Sequence, residues 1–290
     1  MSFVALTDKV AAVPDATRNG RGPTLTDAAR PATVTVPAIN ESGETVPTMI
    51  AGEHPLTVYL DKRELVTLMT LGAAPEALVL GYLRNQRLVE DIQDIVAVQV
   101  DWETDSAAVT TRSGSKDLAT RTARRTVTSG CGQGTMFGDL MEDLDSIVLP
   151  PSGHLRESTL MKLLDNVRRH ESIYKQAGAV HGCALAAPDG EILVFVEDVG
   201  RHNAVDAIAG RMWLDDIGGG DKIFYTTGRL TSEMVIKAAQ MGIPFLVSRS
   251  GITAMGHGIA EKIGLTLIGR AQGKHYLLFT GQQRFSRRDS

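Results

Sequence analysis

The chain has 290 residues, of which 43% are hydrophobic, and its 30 basic and 34 acidic residues leave a formal net charge of −4. This composition predicts one large or two modest domains, and the lack of a clustered basic excess argues against a nucleic-acid-binding surface. The apolar runs are far shorter than the roughly 20 residues that span a bilayer, and the first residues lack the pattern of a secretory signal. We therefore expect a cytoplasmic protein that does not enter a membrane.

The first half of the chain predicts an extension followed by a small folded region. Residues 7–45 are rich in Ala, Thr, Pro, Asp, Gly and Arg, so we predict a mobile N-terminal extension over residues 1–45, with order beginning near Val46. Residues 46–150 predict a smaller α+β region. Its elements are a hairpin from Leu56 to Thr70, a helix from Ala74 to Leu83, and strands at 95–102, 107–111 and 121–128.

The two cysteines lie in different surroundings. Cys131 lies in the glycine-containing loop 129–135, after a basic stretch from Arg121 to Arg125. The glycines leave its sulfur accessible and the arginines favour the reactive thiolate, although an incidental loop cysteine fits the same pattern. Cys183 is more simply a small buried side chain on a predicted strand. Two cysteines exclude a disulfide scaffold, and a structural zinc site lacks its usual ligand set.

Residues 151–290 alternate between helices and strands, which favours a layered sheet with helices on its faces. A long helix is predicted from Leu155 to Gln176. The predicted strands are 182–187, 191–197, 222–227, 244–248, 265–270 and 275–280, and the further helices are 204–214, 232–241 and 254–263. The fold class is therefore α/β, or α+β over the whole chain.

The most informative segment joins a buried strand to a helix and runs from Glu197 to Asp206. Its polar side chains are Glu197, Asp198, Arg201, His202, Asn203 and Asp206. Such a concentration beside a core is costly unless the groups bind one another or a ligand, so we place a functional pocket here. Two local alternatives remain: a helix-capping box of Asn203 and Asp206, and a salt-bridge network.

Two more strand-to-helix junctions have the same character. One contains Thr227, Gly228 and Arg229, and the other contains Ser248 and Arg249. Helix N-termini attract phosphate, and arginine side chains bind it in a bidentate manner. If the strands are parallel, the junctions share one edge of the sheet and predict a site for a large phosphorylated ligand.

Four segments together resemble the FdhD/NarQ family of formate dehydrogenase accessory sulfurtransferases. They are Glu197 to Asp206, Thr227 to Met234, Ser248 to Ser250 and the Cys131 loop. The resemblance extends from about Val46 to Gly281. It implies a cytidine-deaminase-like larger domain without zinc, preceded by the smaller α+β part, and a homodimer.

The resemblance also implies a chemistry. A cysteine desulfurase would load a persulfide onto Cys131, and the sulfur would pass to molybdenum in bis(molybdopterin guanine dinucleotide) before that cofactor enters formate dehydrogenase. The family's C-terminal cofactor-binding segment corresponds to Tyr276, Leu277, Leu278, Phe279, Thr280 and Gly281. Family members commonly carry Cys-x-x-Cys in the loop, whereas Gly134 takes the second cysteine position here, which removes a relay but leaves a carrier.

The sequence therefore predicts a sulfurtransferase with Cys131 as the persulfide carrier. The residues predicted to bind the cofactor are Glu197, Asp198, Arg201, His202, Asn203, Asp206, Thr227, Gly228, Arg229, Ser248 and Arg249, with the segment 276–281. The arginines would contact phosphate, and Glu197, Asp198 or Asp206 would contact guanine or ribose. The alternatives are a non-enzymatic chaperone for the molybdenum cofactor and, with less support, a nucleotide-processing enzyme.

Overall fold

The computed structural model describes residues 22–112 and 153–287, together with residues 114, 126, 127, 134, 135, 147, 149 and 150. Six α-helices and two larger sheets lie within these residues, which confirms the predicted mixed α/β class. The likeness to cytidine deaminases stays a prediction, as does the division into domains. In the part of the chain that is described, no helix is long and apolar enough to cross a membrane.

The first half forms a five-stranded sheet and a separate hairpin. Its elements are β1 (Thr24–Leu25), β2 (Thr33–Ile39), β3 (Thr45–Ala51), β4 (His54–Leu60), β5 (Arg63–Thr70), α1 (Pro75–Asn85), a short 3-10 helix (Ile92–Asp94), β6 (Ile95–Asp101) and β7 (Ser106–Thr111). The sheet order is β1–β6–β7–β4–β5, and α1 packs its apolar residues onto the sheet. The predicted hairpin and helix are confirmed, as are the strands predicted at 95–102 and 107–111.

The prediction that order begins near Val46 is wrong. Strand β1 pairs with β6, and β2 pairs along its whole length with β3, from Thr33 opposite Ala51 to Ile39 opposite Thr45. The alternation Thr-Val-Thr-Val at the start of β2 is a strand pattern. It was hidden by the Thr- and Pro-rich composition around it, which alone is typical of a loop.

Near Cys131, the described residues form only a short two-stranded ladder. Strand β8 (Thr126–Val127) pairs antiparallel with β9 (Gly134–Thr135). Most of the strand predicted at 121–128 and Cys131 itself lie outside the described residues. The exposure of the Cys131 thiol therefore stays a prediction.

The second half is built on a six-stranded sheet. Its elements are β10 (Leu155–Arg156), α2 (Glu157–Arg169), α3 (Ile173–Ala177), β11 (His181–Ala186), β12 (Ile192–Asp198), α4 (Arg201–Leu214), β13 (Ile223–Thr226), α5 (Ser232–Gln240), β14 (Phe245–Ser248), α6 (Ala254–Ile263), β15 (Thr266–Gln272), β16 (His275–Thr280), a short 3-10 helix (Gln282–Arg284) and β17 (Phe285–Ser286). The sheet order is β12–β11–β13–β14–β15–β16, and β10 pairs separately with β17. All six strands predicted for this half are confirmed.

The strand directions bring the predicted junctions to one edge of this sheet. Strands β13, β14 and β15 are parallel, and β11 is antiparallel to both β12 and β13. Strand β12 therefore runs in the same direction as β13 and β14. The carboxyl ends of β12, β13 and β14 lie along one edge, as predicted.

The long helix predicted from Leu155 to Gln176 is wrong. Helix α2 ends at Arg169, since His170 leaves the helical conformation with φ −56° and ψ 131°. Ser172 then begins the short helix α3, and its hydroxyl accepts a hydrogen bond from the Lys175 amide at 3.3 Å. The break separates two elements that form walls of a cavity.

Helices α1 and α4 join the two halves at a close crossing. A Cβ added at Gly81 would lie 1.6 Å from the Asp206 carbonyl oxygen, and one added at Gly210 would lie 1.9 Å from the Ala77 carbonyl oxygen. Only glycine permits backbones to approach so closely. The crossing fixes α4, which carries most of the polar segment, against the first sheet.

Candidate functional site

A cavity of about 530 Å³ opens at the predicted sheet edge, between the edge and helices α2 and α3. Three of the predicted residues line it: Glu197, Thr227 and Arg249. The other lining residues include Arg168, Ser172, Tyr174, Lys175, His181, Gly182, Phe195, Tyr225, Ser250, Gln272 and Gly273. A volume in this range suits a sizeable small-molecule ligand.

Arg168, Lys175 and Arg249 bring positive charge to the cavity walls. All three have exposed side chains, so a ligand can reach them without a rearrangement of the core. Phe195, Tyr174 and Tyr225 add aromatic surface. Clustered cations beside aromatic rings are suited to phosphate next to a nucleobase.

The wall formed by α2 and α3 was not predicted from the sequence. Arg168 and Lys175 lie on either side of the helix break at His170, which periodicity alone did not reveal. The serine at position 172, a preferred helix N-cap, was the local signal that could have revealed it. His181, which also lines the cavity, was not among the predicted ligands.

The loops after β13 and β14 are tied together by small polar side chains. The Ser248 hydroxyl donates to the Gly228 carbonyl at 2.6 Å and accepts from the Ser250 amide at 2.8 Å. The Thr226 hydroxyl accepts from the Gly228 amide at 3.0 Å. Ser248 therefore shapes the loops from a buried position and does not line the cavity.

Gly228 allows the loop to approach Arg201. A Cβ at this position would lie 2.9 Å from the Arg201 side chain, which is itself buried. Arg229, by contrast, is exposed on the same loop. Neither arginine lines the cavity, but both act electrostatically on His181 at its wall.

Glu197 faces the cavity and also stabilises its wall. Its carboxylate accepts hydrogen bonds from the amides of Ile173 and Tyr174, at 2.5 and 3.2 Å, at the start of α3. Burial raises the pKa of this carboxyl group, while the two amide hydrogen bonds oppose the increase. Glu197 thus has a structural role beside any contact with a ligand.

Asp198 and Asn203 connect the site to the first sheet. The Asp198 carboxylate accepts hydrogen bonds from the Thr70 hydroxyl at 2.5 Å, from the amides of Leu71 and Gly200, and from the Asn203 side chain at 2.9 Å. Asn203 also donates to the Met69 carbonyl at 2.6 Å. These side chains are buried and form a latch between β5 and α4.

Asp206 and His202 lie in the interior between helices α4 and α5. The Asp206 carboxylate binds Lys237 at 2.8 Å and the Asn85 amide at 2.7 Å. His202 Nε2 lies 3.5 Å from the Glu233 carboxylate. Burial raises the pKa of Asp206 and lowers that of His202 to about 2.

The predicted capping box is wrong, and the salt-bridge alternative is confirmed in part. Helix α4 begins at Arg201 with Gly200 at the N-cap, so Asn203 is the third helical residue and not the N-cap, and Asp206 lies beyond the first turn. Asp206 instead forms a buried ion pair with Lys237. Asp206 and Asn203 therefore bind residues that are distant in sequence, Lys237 and Met69, and do not cap the helix.

The C-terminal segment 276–281 does not line this cavity. Alternate side chains point to opposite faces of the sheet: Tyr276 and Leu278 pack on the α2 side, and Phe279 packs on the other. Leu277 is 46% exposed, the Thr280 hydroxyl bonds to Leu265 and Leu267, and Gly281 packs on Thr266. Ala271, Gln272 and Gly273, just before the segment, are the residues from this hairpin that reach the cavity.

Cys183 is a buried side chain, as the sequence predicted. It is 0% exposed, and burial raises its pKa to about 12 despite a hydrogen bond to Thr226. Among the described residues, no group of three or more His, Cys, Asp or Glu side chains is arranged to hold a metal.

The FdhD/NarQ family model matches residues 51–286 of the chain. The chain belongs to the FdhD/NarQ family. Its relatives include the sulfur carrier protein FdhD of Listeria monocytogenes serotype 4b (strain F2365), with 31% identity over 82% of this chain and 91% of the relative. FdhD of Geobacillus kaustophilus (strain HTA426) is 28% identical over 81% of this chain and 89% of the relative.

A solved structure supports the same assignment. It is a crystal structure from Desulfotalea psychrophila of a protein assigned as a formate dehydrogenase accessory protein. The TM-score is 0.71 with 25% sequence identity, over 88% of this chain and 100% of the other. The resemblance noticed in the sequence is thus confirmed at the level of family and of overall fold.

Proposed function

We propose that this FdhD/NarQ protein is a sulfur carrier that serves formate dehydrogenase. The observation that carries the proposal is the family match over residues 51–286, together with relatives that are named as sulfur carriers. The cation-lined cavity at the edge of the second sheet is independent support for the proposal. A carrier needs both a thiol that holds sulfur and a site that holds the acceptor.

In this proposal Cys131 holds the sulfur. Its thiolate attacks the outer sulfur of a persulfide on a cysteine desulfurase, so the donor's S–S bond breaks and a new S–S bond forms at Cys131. The donor cysteine leaves as a thiolate, and no external oxidant is needed. Cys183 takes no part, because its thiol is buried and stays protonated at neutral pH.

The acceptor in this proposal is bis(molybdopterin guanine dinucleotide). Arg249, Lys175 and Arg168 would neutralise phosphate charges in the cavity, with Arg201 and Arg229 adding positive potential nearby. Glu197 lines the cavity and Asp198 and Asp206 do not, so Glu197 is the acidic group placed to contact guanine or ribose. The remaining partners are a cysteine desulfurase, formate dehydrogenase and a second copy of the chain.

Intact-protein mass spectrometry after incubation with a cysteine desulfurase and cysteine tests the carrier step. We expect a reductant-sensitive gain of one sulfur on the wild type and on Cys183→Ala, but none on Cys131→Ala. No gain on the wild type, with the desulfurase shown to be active, would contradict the proposal. It would favour the chaperone, which also predicts that Cys131→Ala still supports formate dehydrogenase activity in cells.

Binding of guanosine diphosphate tests the acceptor site. Because Arg249 lines the cavity, Arg249→Ala should weaken binding about tenfold or more, as the loss of a charge-assisted hydrogen bond predicts. The matched control is Arg63→Ala, which removes an exposed arginine at the start of β5, outside the cavity. Equal affinity of the wild type and Arg249→Ala for guanosine diphosphate would show that Arg249 does not contribute to binding.

A further inference from the structure

His181 lies at the wall of the cavity without a role in the proposed chemistry. It is the first residue of β11, opposite Asp198 of β12, and its side chain is half-buried. It lines the cavity together with Thr227 and Arg249. Histidine is the side chain whose charge is most easily changed near neutral pH, so its surroundings decide what it can do here.

Thr227 holds the imidazole ring. The Thr227 hydroxyl oxygen lies 3.4 Å from His181 Nδ1 and accepts a hydrogen bond from the Gly182 amide at 3.1 Å. The hydroxyl can donate to a neutral ring or accept from a protonated one. Nε2 makes no hydrogen bond to any residue that the structure describes, which leaves it for a ligand.

Charged groups surround His181 on every neighbouring element. They are Arg201 of α4, Arg229 after β13, Arg249 after β14, Arg168 of α2, Lys175 of α3, and Glu197 and Asp198 of β12, while His202 of α4 is a titratable group whose pKa is lowered to about 2. Burial, Arg201 and Arg229 lower the pKa of His181, which favours the neutral ring. The nearest carboxylates have other partners: Glu197 binds the start of α3, and Asp198 binds the end of β5.

A phosphate ligand would reverse this balance. Each phosphate of a pyrophosphate linkage brings a fixed negative charge to a cavity where the excess of positive charge disfavours a protonated ring. An opposite charge within a few ångströms raises the pKa of histidine. The ring can then donate from both nitrogens, with Nδ1 bonded to Thr227 and Nε2 bonded to the ligand.

We propose that His181 takes up a proton from solvent when a pyrophosphate-linked ligand fills the cavity, so that the ligand binds more tightly as the pH falls. The inference rests on the proposed function, in which the cavity holds the pyrophosphate of a guanine dinucleotide. It identifies His181, which was not among the predicted ligands, as a residue that binds the ligand. It also predicts that loading and release of the ligand depend on pH.

Isothermal titration calorimetry with P1,P2-diguanosine pyrophosphate tests the proposal. Each phosphate of this probe has one ester bond and one anhydride bond and no terminal monoester group, so the ligand does not titrate near neutral pH. Titrations in buffers with different ionisation enthalpies give the number of protons taken up. For the wild type we expect uptake approaching about one proton, and an affinity that rises as the pH falls, at most about tenfold per pH unit, until His181 is also protonated in the unbound protein.

His181→Gln keeps a hydrogen-bonding side chain but cannot titrate, so its binding should show no such uptake and a weaker pH dependence. His257→Gln is the matched control, since His257 lies on α6 beside Phe279 and does not line the cavity. It should behave as the wild type does. Glu197 could also take up a proton, and the His181→Gln comparison separates its contribution from that of His181.

Three outcomes would overturn the proposal. Binding by the wild type without proton uptake would reject it and leave the cavity assignment intact. The same uptake in His181→Gln would place the proton on another group. No binding at any pH would reject both this inference and the proposed acceptor site.

Discussion

Individual residues in this FdhD/NarQ protein show why a polar segment is not by itself a ligand site. Glu197 and Asp198 are neighbours in sequence, but Glu197 faces the cavity while Asp198 is bonded inside the latch to β5. Adjacent strand residues point to opposite faces of a sheet, so the two carboxylates were never equivalent. The face of the sheet to which each side chain points decides its role.

The first prediction at this scale concerns the two thiols. Cys183 is buried with a pKa raised to about 12, so the thiolate that reacts with disulfide reagents is nearly absent at neutral pH. In Cys131→Ala, we expect no reaction of the folded protein with a chromogenic disulfide reagent and full reaction after denaturation. Rapid labelling of folded Cys131→Ala would show that Cys183 is accessible.

The buried pair of Asp206 and Lys237 gives the second prediction. Lys237→Met leaves a buried carboxylate without its cation and should lower the free energy of unfolding by about 3–5 kcal/mol. Replacing both groups, as Asp206→Leu with Lys237→Met, should cost less than the single change. Urea denaturation measures these differences.

Lys162→Met is the control, because Lys162 is 43% exposed and pairs with Asp189 and Glu191 at the surface. Its effect should stay within about 1 kcal/mol. If Lys162→Met and Lys237→Met lower the free energy of unfolding by similar amounts, burial does not determine how strongly an ion pair stabilises this protein.

At the scale of elements, the position of helix α4 depends on its crossing with α1. The two glycines at the crossing, Gly81 and Gly210, bring the backbones into contact, and Arg84 donates to the Ala209 carbonyl at 3.0 Å. Helix α4 begins with Arg201, next to the cavity. The crossing therefore connects the first sheet to the geometry of the site.

The third prediction tests this crossing. Gly210→Ala would place a Cβ 1.9 Å from the Ala77 carbonyl oxygen, so the helices must separate, at a cost of at least about 2 kcal/mol in the free energy of unfolding. Gly258→Ala is the matched control within helix α6, where an added Cβ meets nothing within 4 Å. Since alanine favours helix over glycine, this control should stabilise the protein by up to about 1 kcal/mol. Thermal or urea unfolding of the two variants measures these changes in stability and shows whether the helices are tightly packed at the crossing.

At the scale of the whole molecule, buried ionisable groups make stability depend on pH. The pKa of His202 is lowered to about 2 by burial and by nearby cations, with Lys237 the strongest. Below about pH 6.5 an unfolded chain protonates this histidine, whereas the folded chain does not. The contribution of His202 therefore lowers stability as the pH falls from about 6.5, by up to about 1.4 kcal/mol per pH unit.

The fourth prediction is that His202→Gln loses less stability than the wild type between about pH 7 and about pH 5. Asp198 and Asp206 have raised pKa values and act in the opposite direction, favouring the folded state at low pH. They are present in both proteins, so the difference between the two slopes reports on His202. Urea denaturation across this range measures the slopes, and equal slopes would mean that His202 titrates normally.

Much of the second half was predictable because its elements depend on short-range patterns. Apolar runs in β13 and β14, each followed by small or hydroxylated residues and a helix, predicted the shared sheet edge where the cavity opens. Helix α6 begins where predicted, and the Thr253 hydroxyl caps it by accepting from the Gly256 amide. These features need only neighbouring residues, whereas the composition of the first 45 residues concealed β1 and β2.

By itself, the sequence determined the family, the alternation of strands and helices, and the edge that carries the site. Only the tertiary structure decided which polar residues face the cavity. Asp206 meets Asn85 and Lys237, which are 121 and 31 positions away, and Asp198 meets Thr70, 128 positions away. Such partners are chosen by the packing of distant segments, because a buried polar group must find whichever donor or acceptor the fold brings close, and no local pattern encodes that choice.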